Sequence, residues 1–562
     1  MPAAVSSHET AANAARHLRN AARRNPDFCA VRVPFGHDRA TGEIRYRAYS
    51  FADLDRLSDA AANHFAQRGI LPNQRTLLLA RPGIELISSM FALLKLGAVP
   101  VAIDPGMGMR AFLRCIKNIR PSALVGSFTA LALTRLFPRT FADVRARIRI
   151  DSFKTLPPNT SERPLFNASS ASPAAILFTS GSTGAPKGAC YTHGMLDAQL
   201  SLVRDTYGIQ PGEVDLPMLP VFALFNPALG TTTVTPEMNP SRPATADPEK
   251  IIRAIIQNSV TYSFGSPAVW TRIVHHCQRY NITLPSLRRV LVAGAPVTPR
   301  LLAALRTVFP NACVHTPYGA TEALPVASIE ASEVLAETAP LTTKGLGTCV
   351  GKPLARVRVA IIPLSNRPLA SLDEAPFLPT GEAGEIIVQS PSCSCEYAEN
   401  PEATALAKIP APDGSIWHRM GDLGRFDDRG RLWFLGRKAE LVTTPDGHLY
   451  TESCEAIFNT HPSVHRSALI GLGETGSQEP AIVIEPFPDQ FPRNAAARTR
   501  LISELTELGS RHAPTRKIAR FLFEKKFPVD TRHNAKIHRL TLRRKWSARL
   551  GFPLPAAAIQ KK

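Results

Sequence analysis

Ile176-Leu177-Phe178-Thr179-Ser180-Gly181-Ser182-Thr183-Gly184-Ala185-Pro186-Lys187-Gly188 is the stretch from which the architecture can be read. Its apolar head, which begins at Ala174, has the composition of a buried strand, and from Thr179 to Gly184 the chain uses only Gly, Ser and Thr. Glycines let backbone N–H groups approach an anion, hydroxyls add donors, and Lys187 adds a point charge. The junction predicts a cradle for a polyphosphate. It is not the ordinary Walker spacing, because Pro186 precedes Lys187, Gly188 follows it, and no Lys-Ser/Thr pair opens a helix. A Ser/Gly loop alone would suit a surface turn, but the whole Thr-Ser-Gly-Ser-Thr-Gly-x-Pro-Lys-Gly string is more specific.

Upstream of this loop, helical periods over 51–68 and 84–96 alternate with short β-rich runs at 74–79 and 99–103. Downstream, helical patterns at 195–207, 247–258 and 299–308 alternate with strand patterns at 260–264 and 290–293. Such alternation predicts an α/β fold of parallel-rich sheets flanked by helices. Strand patterns continue through 385–389, and the character changes near Arg437. A small α+β segment follows, with a helix around 453–459, strands around 467–471 and 481–485, and a basic tail. Two domains are expected, 1–436 and 437–562, joined by a hinge.

A chain of 562 residues has length for a large core and more than one domain, and 44% apolar with 20% charged residues fits a globular protein. The formal charge of +20 suits an enzyme of anionic substrates and would also favour acidic lipid; read along the chain, it looks dispersed. No arginine-rich arm or aromatic-interleaved repeat argues for nucleic acid. The nine cysteines form no zinc or disulfide spacing, which predicts reduced thiols and a cytoplasmic setting. No apolar run is long enough for a transmembrane segment, so contact with a membrane is expected at most from its surface.

Three further motifs accompany the loop. They are Tyr318-Gly319-Ala320-Thr321-Glu322, then His418-Arg419-Met420-Gly421-Asp422-Leu423-Gly424 followed by Phe434-Leu435-Gly436-Arg437, and Arg532-His533-Asn534-Ala535-Lys536-Ile537. Singly, each is a turn or a solvated charge. Together and in this order they resemble the adenylate-forming superfamily of acyl-CoA synthetases, peptide-synthetase adenylation domains and luciferases.

The resemblance implies ATP as co-substrate and Mg2+ as its partner. It assigns the phosphates to Thr179, Ser180, Gly181, Ser182, Thr183, Gly184 and Lys187, and the adenine to Tyr318 with Gly319 and Ala320. Gly294, Ala295 and Pro296 fall beside the nucleotide, Asp422 and Arg437 at the ribose, and Glu322 with Thr179 at the metal. Thr321 would contact phosphate, and Lys536 would offset charge on the α-phosphate and the attacking carboxylate.

Two departures weaken coenzyme A as acceptor. Ala439 stands where acyl-CoA synthetases usually place a pivotal Asp or Lys, and Thr444-Pro445-Asp446-Gly447-His448-Leu449-Tyr450-Thr451 replaces their glycine-rich segment. These features, with 221–230 and Phe264-Gly265-Ser266-Pro267-Ala268, resemble the olefin β-lactone synthetase branch. That branch implies a 2-alkyl-3-hydroxy fatty acid, whose own hydroxyl closes a β-lactone with release of AMP. It also implies work beside a condensing enzyme, a reductase and a β-lactone decarboxylase. An apolar pocket for the alkyl chains is expected around Phe222, Phe225, Gly265, Gly347 and Val350. A fatty acyl-CoA ligase and a non-catalytic nucleotide- or lipid-binding scaffold are the competing readings. His193, His275 and His276 are read as packing or surface residues.

Overall fold

The computed structural model describes residues 12–150, 162–179, 186–530 and 536–553. Local sequence sets the helix starts. Ser50 and Asp53 form a reciprocal cap on Phe51–Gln67, each side chain accepting the other's backbone N–H at 3.0 to 3.1 Å. Asp247 and Thr298 cap Pro248–Gln257 and Pro299–Val308, each of which opens on a proline whose missing N–H is no loss there.

A six-stranded sheet runs in the order Ala146–Arg149, Ala123–Gly126, Arg75–Leu79, Val99–Ala102, Pro173–Thr179, Lys187–Thr192. All its pairs are parallel except the last, where Thr179 faces Lys187 across an antiparallel register. The phosphate loop therefore joins two neighbouring strands, and a strand unforeseen in the sequence precedes the helix His193–Tyr207.

The larger sheet has two halves. Cys29–His37, Thr232–Val234, Val214–Asp215, Tyr262–Gly265, Arg289–Val292 and Cys313–Ala320 are parallel neighbours in that order. From Ala323–Glu330 onward, through Thr348–Pro353, Leu432–Arg437, Ile416–Phe426, Gly384–Gln389 and Arg358–Ile362, every pair is antiparallel. The α/β expectation holds for the first half, whereas the second half is an antiparallel sheet in which Thr348–Pro353 pairs with Leu432–Arg437 and not with the strand that follows it in the chain.

After Arg437 the chain builds a separate three-stranded sheet, Val464–Leu472, Glu479–Pro486 and Arg520–Phe523, with apolar clusters on both faces. The helix Thr451–Phe458 packs it against the strand Leu432–Arg437 so closely that a Cβ on Gly436 would lie 2.2 Å from Thr451 Oγ1. Thr348 donates to Glu452 across the same seam at 2.8 Å.

The surface charge is less dispersed than it looks along the chain. Nine exposed cations, from Arg110 to Arg149, meet a single acid, Asp143, in the segment that forms one edge of the six-stranded sheet. Among the described residues no helix is long and apolar enough to cross a membrane.

Candidate active site

Gly265, Gly294 to Pro296 and Tyr318 to Ala320 all follow or end parallel neighbouring strands, so the topology alone brings them to one edge of the larger sheet. Tyr318 hydroxyl donates to Asp422 Oδ2 at 2.6 Å, and Arg437 Nη1 stands 2.8 Å from Asp422 Oδ1. Asp422 and Arg437 oppose each other on paired antiparallel strands, which fixes that ion pair by register. Burial pushes the Asp422 carboxyl up, opposed chiefly by Arg437, then by the Tyr318 hydroxyl and by Lys536. Lys536 therefore lies close enough to favour the ionised form of Asp422. Its backbone carbonyl accepts from Asp530 N–H at 3.0 Å, and Val529 bridges Ile537.

A close backbone approach shapes the adenine side. A Cβ on Gly319 would sit 2.8 Å from the carbonyl of Ala323, so the turn between Cys313–Ala320 and Ala323–Glu330 admits only glycine there without a shift. That turn places Thr321, whose carbonyl accepts from Tyr191, and Glu322, which is buried.

Glu322 has company that sequence reasoning missed. Tyr397 donates its hydroxyl to Glu322 Oε1 at 2.8 Å, and Ser394 N–H donates to the Glu322 carbonyl at 2.8 Å. The segment carrying these residues bridges Ala323 through Cys393 and Ala189 through Tyr397, so it ties the turn to the strand that begins at Lys187. Lys187 Nζ stands 4.9 Å from the centroid of the Tyr397 ring, and Lys408 Nζ, 5% exposed, stands 5.6 Å from it. Beside them His418 is buried, and burial with two nearby lysines holds its imidazole well below the usual range, hence neutral. The signal in the sequence was a lone lysine between apolar Ala407 and Ile409.

The expected acyl residues fall in two groups. Phe222 stacks on Phe264 with centroids 3.7 Å apart, and Phe225 tilts against Phe222 at 6.2 Å. Gly265 follows Phe264, and a Cβ there would meet Met218 and Trp270, which face the core. Val350 instead joins the cluster of Tyr318 and Phe434, while Gly347 abuts Leu435 and the Phe434 carbonyl. A small apolar pocket between Leu86, Met218, Ala223 and Met238 is lined by none of the five. His193 accepts Ala14 N–H at 3.0 Å in the core, as a packing histidine should. Ser180, Gly181, Ser182, Thr183 and Gly184 lie outside the described residues, and so does the side chain of Thr179.

The donor set fits a nucleotide-borne magnesium ion better than a protein-caged one. Among the described residues no three metal-ligating side chains converge, and Glu322 offers one buried carboxylate. Magnesium commonly takes one or two carboxylates and completes its shell with phosphate oxygens and water.

Residues 18–398 match the AMP-binding enzyme family. The chain is 42% identical over 551 residues, 94% of its length and 96% of the relative's, to an olefin beta-lactone synthetase of Xanthomonas campestris pv. campestris. It is 42% identical over 545 residues, again 94% and 96% of the two lengths, to one of Stenotrophomonas maltophilia. Among solved structures, the amide bond synthetase McbA of Marinactinospora thermotolerans shares the fold with a TM-score of 0.74 at 24% identity, covering 96% of this chain and 100% of that one.

Proposed function

The chain belongs to the AMP-binding enzyme family, and on that premise we propose that it is an AMP-forming ligase of the olefin β-lactone synthetase type, acting on a 2-alkyl-3-hydroxy fatty acid. A carboxylate oxygen attacks the α-phosphorus of ATP and pyrophosphate leaves. The substrate's β-hydroxyl oxygen then bonds to the acyl carbon, its proton is lost, and the C–O bond to AMP breaks. A β-lactone and AMP remain.

Each residue has a physical task in this reading. Asp422, held between Tyr318 and Arg437, accepts hydrogen bonds from the ribose hydroxyls. Lys187 and the 179–184 loop take the distal phosphates, Thr321 contacts phosphate, and Gly294 to Pro296 with Tyr318, Gly319 and Ala320 flank the adenine. Lys536 offsets the charge that builds between carboxylate and α-phosphate, the kind of preorganised term worth roughly 3 to 4 kcal/mol. Mg2+, held by Glu322 and phosphate oxygens, would share that neutralisation. Phe222, Phe225 and Gly265 would line one alkyl chain, with Gly347 and Val350 nearer the nucleotide. An attached hydroxyl needs no second binding event, and effective concentrations can reach roughly 10⁵ M in well-oriented cases, offset here by ring strain. Residues 437–562 form the small domain in this account, and the hinge follows Arg437.

The observation that carries the proposal is the 42% identity to the Xanthomonas relative across 94% of the chain. Such an enzyme belongs in the cytoplasm, with a condensing enzyme and a reductase upstream and a β-lactone decarboxylase downstream, in an assembly or acting in turn. The test incubates the protein with Mg·ATP and a 2-alkyl-3-hydroxy acid, with and without coenzyme A. Lactone without coenzyme A is expected. Thioester formed only with coenzyme A would make it an acyl-CoA ligase, and neither product would leave a scaffold.

A further inference from the structure

Lys408 is a buried cation to which the reaction scheme above assigns no task. It opens the short strand Lys408–Pro410 and pairs in register with His418 on Ile416–Phe426, the strand that also carries Asp422. Its ammonium group bonds the Ser394 carbonyl and, at 3.1 Å, the Ser394 hydroxyl. It also stands 5.6 Å from the centre of the Tyr397 ring. Lys408 therefore touches both residues that hold Glu322: Tyr397, whose hydroxyl fixes the carboxylate at 2.8 Å, and Ser394, whose N–H fixes the backbone at 2.8 Å.

Burying an ammonium costs several kcal/mol unless polar partners and opposite charge offset it. A desolvated cation beside an aromatic ring recovers part of that cost. Hydrogen bonds to Ser394 and the nearby Glu322 charge offset more of it, while burial draws the Lys408 ammonium down to about 8. A cation beside a phenol ring also draws electron density from the hydroxyl and makes it a stronger donor. With Lys187 at 4.9 Å and Lys408 at 5.6 Å, Tyr397 has two such cations. Its grip on Glu322 Oε1 is strengthened accordingly. A carboxylate held by one oxygen keeps the other for a ligand.

We propose that Lys408 is a positioning residue of the adenylating centre, which acts through Tyr397 and Ser394 to set the Glu322 carboxylate for the divalent cation that accompanies ATP. The inference rests on the role given to Glu322 above.

The experiment uses the full chain with Lys408→Met, Tyr397→Phe and Glu322→Gln, singly, and Lys408→Met combined with Glu322→Gln. Acid-dependent pyrophosphate exchange gives kcat, the KM values and the Mg2+ concentration for half-maximal rate. Calorimetry with a non-hydrolysable ATP analogue, with and without Mg2+, gives binding apart from turnover. Lys408→Met is expected to raise the half-maximal Mg2+ concentration and lower kcat, each about tenfold. The KM for the hydroxy acid and the affinity for Mg2+-free analogue should not move. In the Glu322→Gln background Lys408→Met should add nothing. Multiplying losses in the double variant, or an unshifted Mg2+ dependence, would overturn the proposal. Should Lys408→Met fail to fold, Tyr397→Phe reads the same link, and a normal Mg2+ dependence there would overturn it as well. A Glu322→Gln protein with ordinary Mg2+ dependence would instead remove the premise about Glu322.

Discussion

Tyr318 and Asp422 come from strands 104 residues apart in sequence and meet through a 2.6 Å hydrogen bond, with Arg437 completing the contact on the other carboxylate oxygen. A nucleotide ribose placed against Asp422 finds an acceptor already oriented on both sides.

Replacing that acceptor should therefore weaken ATP more than it slows chemistry. Asp422→Asn is expected to raise the KM for ATP about ten- to a hundredfold, the scale of one charge-assisted hydrogen bond, with a smaller change in kcat. Steady-state kinetics over an ATP series would show the split. A fall in kcat at unchanged KM would contradict the ribose role.

The C-terminal part, from Arg437 onward, holds a buried ion network. Arg539 pairs with Glu440 at 2.9 Å and Glu455 at 2.6 Å, and all three are at most 14% exposed at the side chain. Arg539→Ala leaves two carboxylates buried without their cation, a change that typically costs about 3 to 5 kcal/mol. Calorimetry should show the unfolding of the C-terminal part displaced to lower temperature. An unmoved transition would mean that solvent reaches the two carboxylates.

Asp215 sits in the core beside Phe222's strand-to-helix turn and accepts from Asn226 at 2.7 Å, while burial pushes its carboxyl up to about 8. Its folded value lies above the unfolded one, near 3.9, so the folded state binds the extra proton between the two. The stability it contributes is present below pH 4 and is lost as pH rises toward about 8. Asp215→Asn should remove that slope, so its melting temperature should fall less between pH 6 and pH 9 than the wild-type value does. Parallel profiles would contradict a protonated Asp215.

Much of the fold was legible because its signals are local. Pro299–Val308 follows its cap Thr298 directly and Ile84–Leu96 stops at the left-handed Gly97, so both have the bounds their local patterns predict. The strand Lys187–Thr192 was not legible, because a six-residue run beginning Lys-Gly shows neither clear alternation nor a continuous apolar core. The site divides in the same way. Tyr318, Asp422 and Arg437 stand in motifs with their own spacing. Tyr397 and Lys408 owe their place to pairing with Ala189 and His418, contacts between distant segments that no window of sequence contains. Gly347 and Val350 stand apart from Phe222 in the sheet order: Val350 packs with Tyr318 and Phe434, and Gly347 abuts Phe434 and Leu435.

The intramolecular acceptor makes a kinetic prediction. A 2-alkyl acid lacking the 3-hydroxyl should still support pyrophosphate exchange yet release AMP at least a hundredfold more slowly, because its adenylate has no tethered nucleophile. Equal AMP release from both acids, at equal exchange, would point to water or an external acceptor.

The most direct measurement follows oxygen. With a 2-alkyl-3-hydroxy acid labelled in both carboxylate oxygens with ¹⁸O, attack of the carboxylate on the α-phosphorus transfers one label to AMP, and lactone closure keeps the other in the product carbonyl. Mass spectrometry should find singly labelled AMP and singly labelled β-lactone. Unlabelled AMP beside doubly labelled product would contradict an acyl-adenylate and with it the account as a whole.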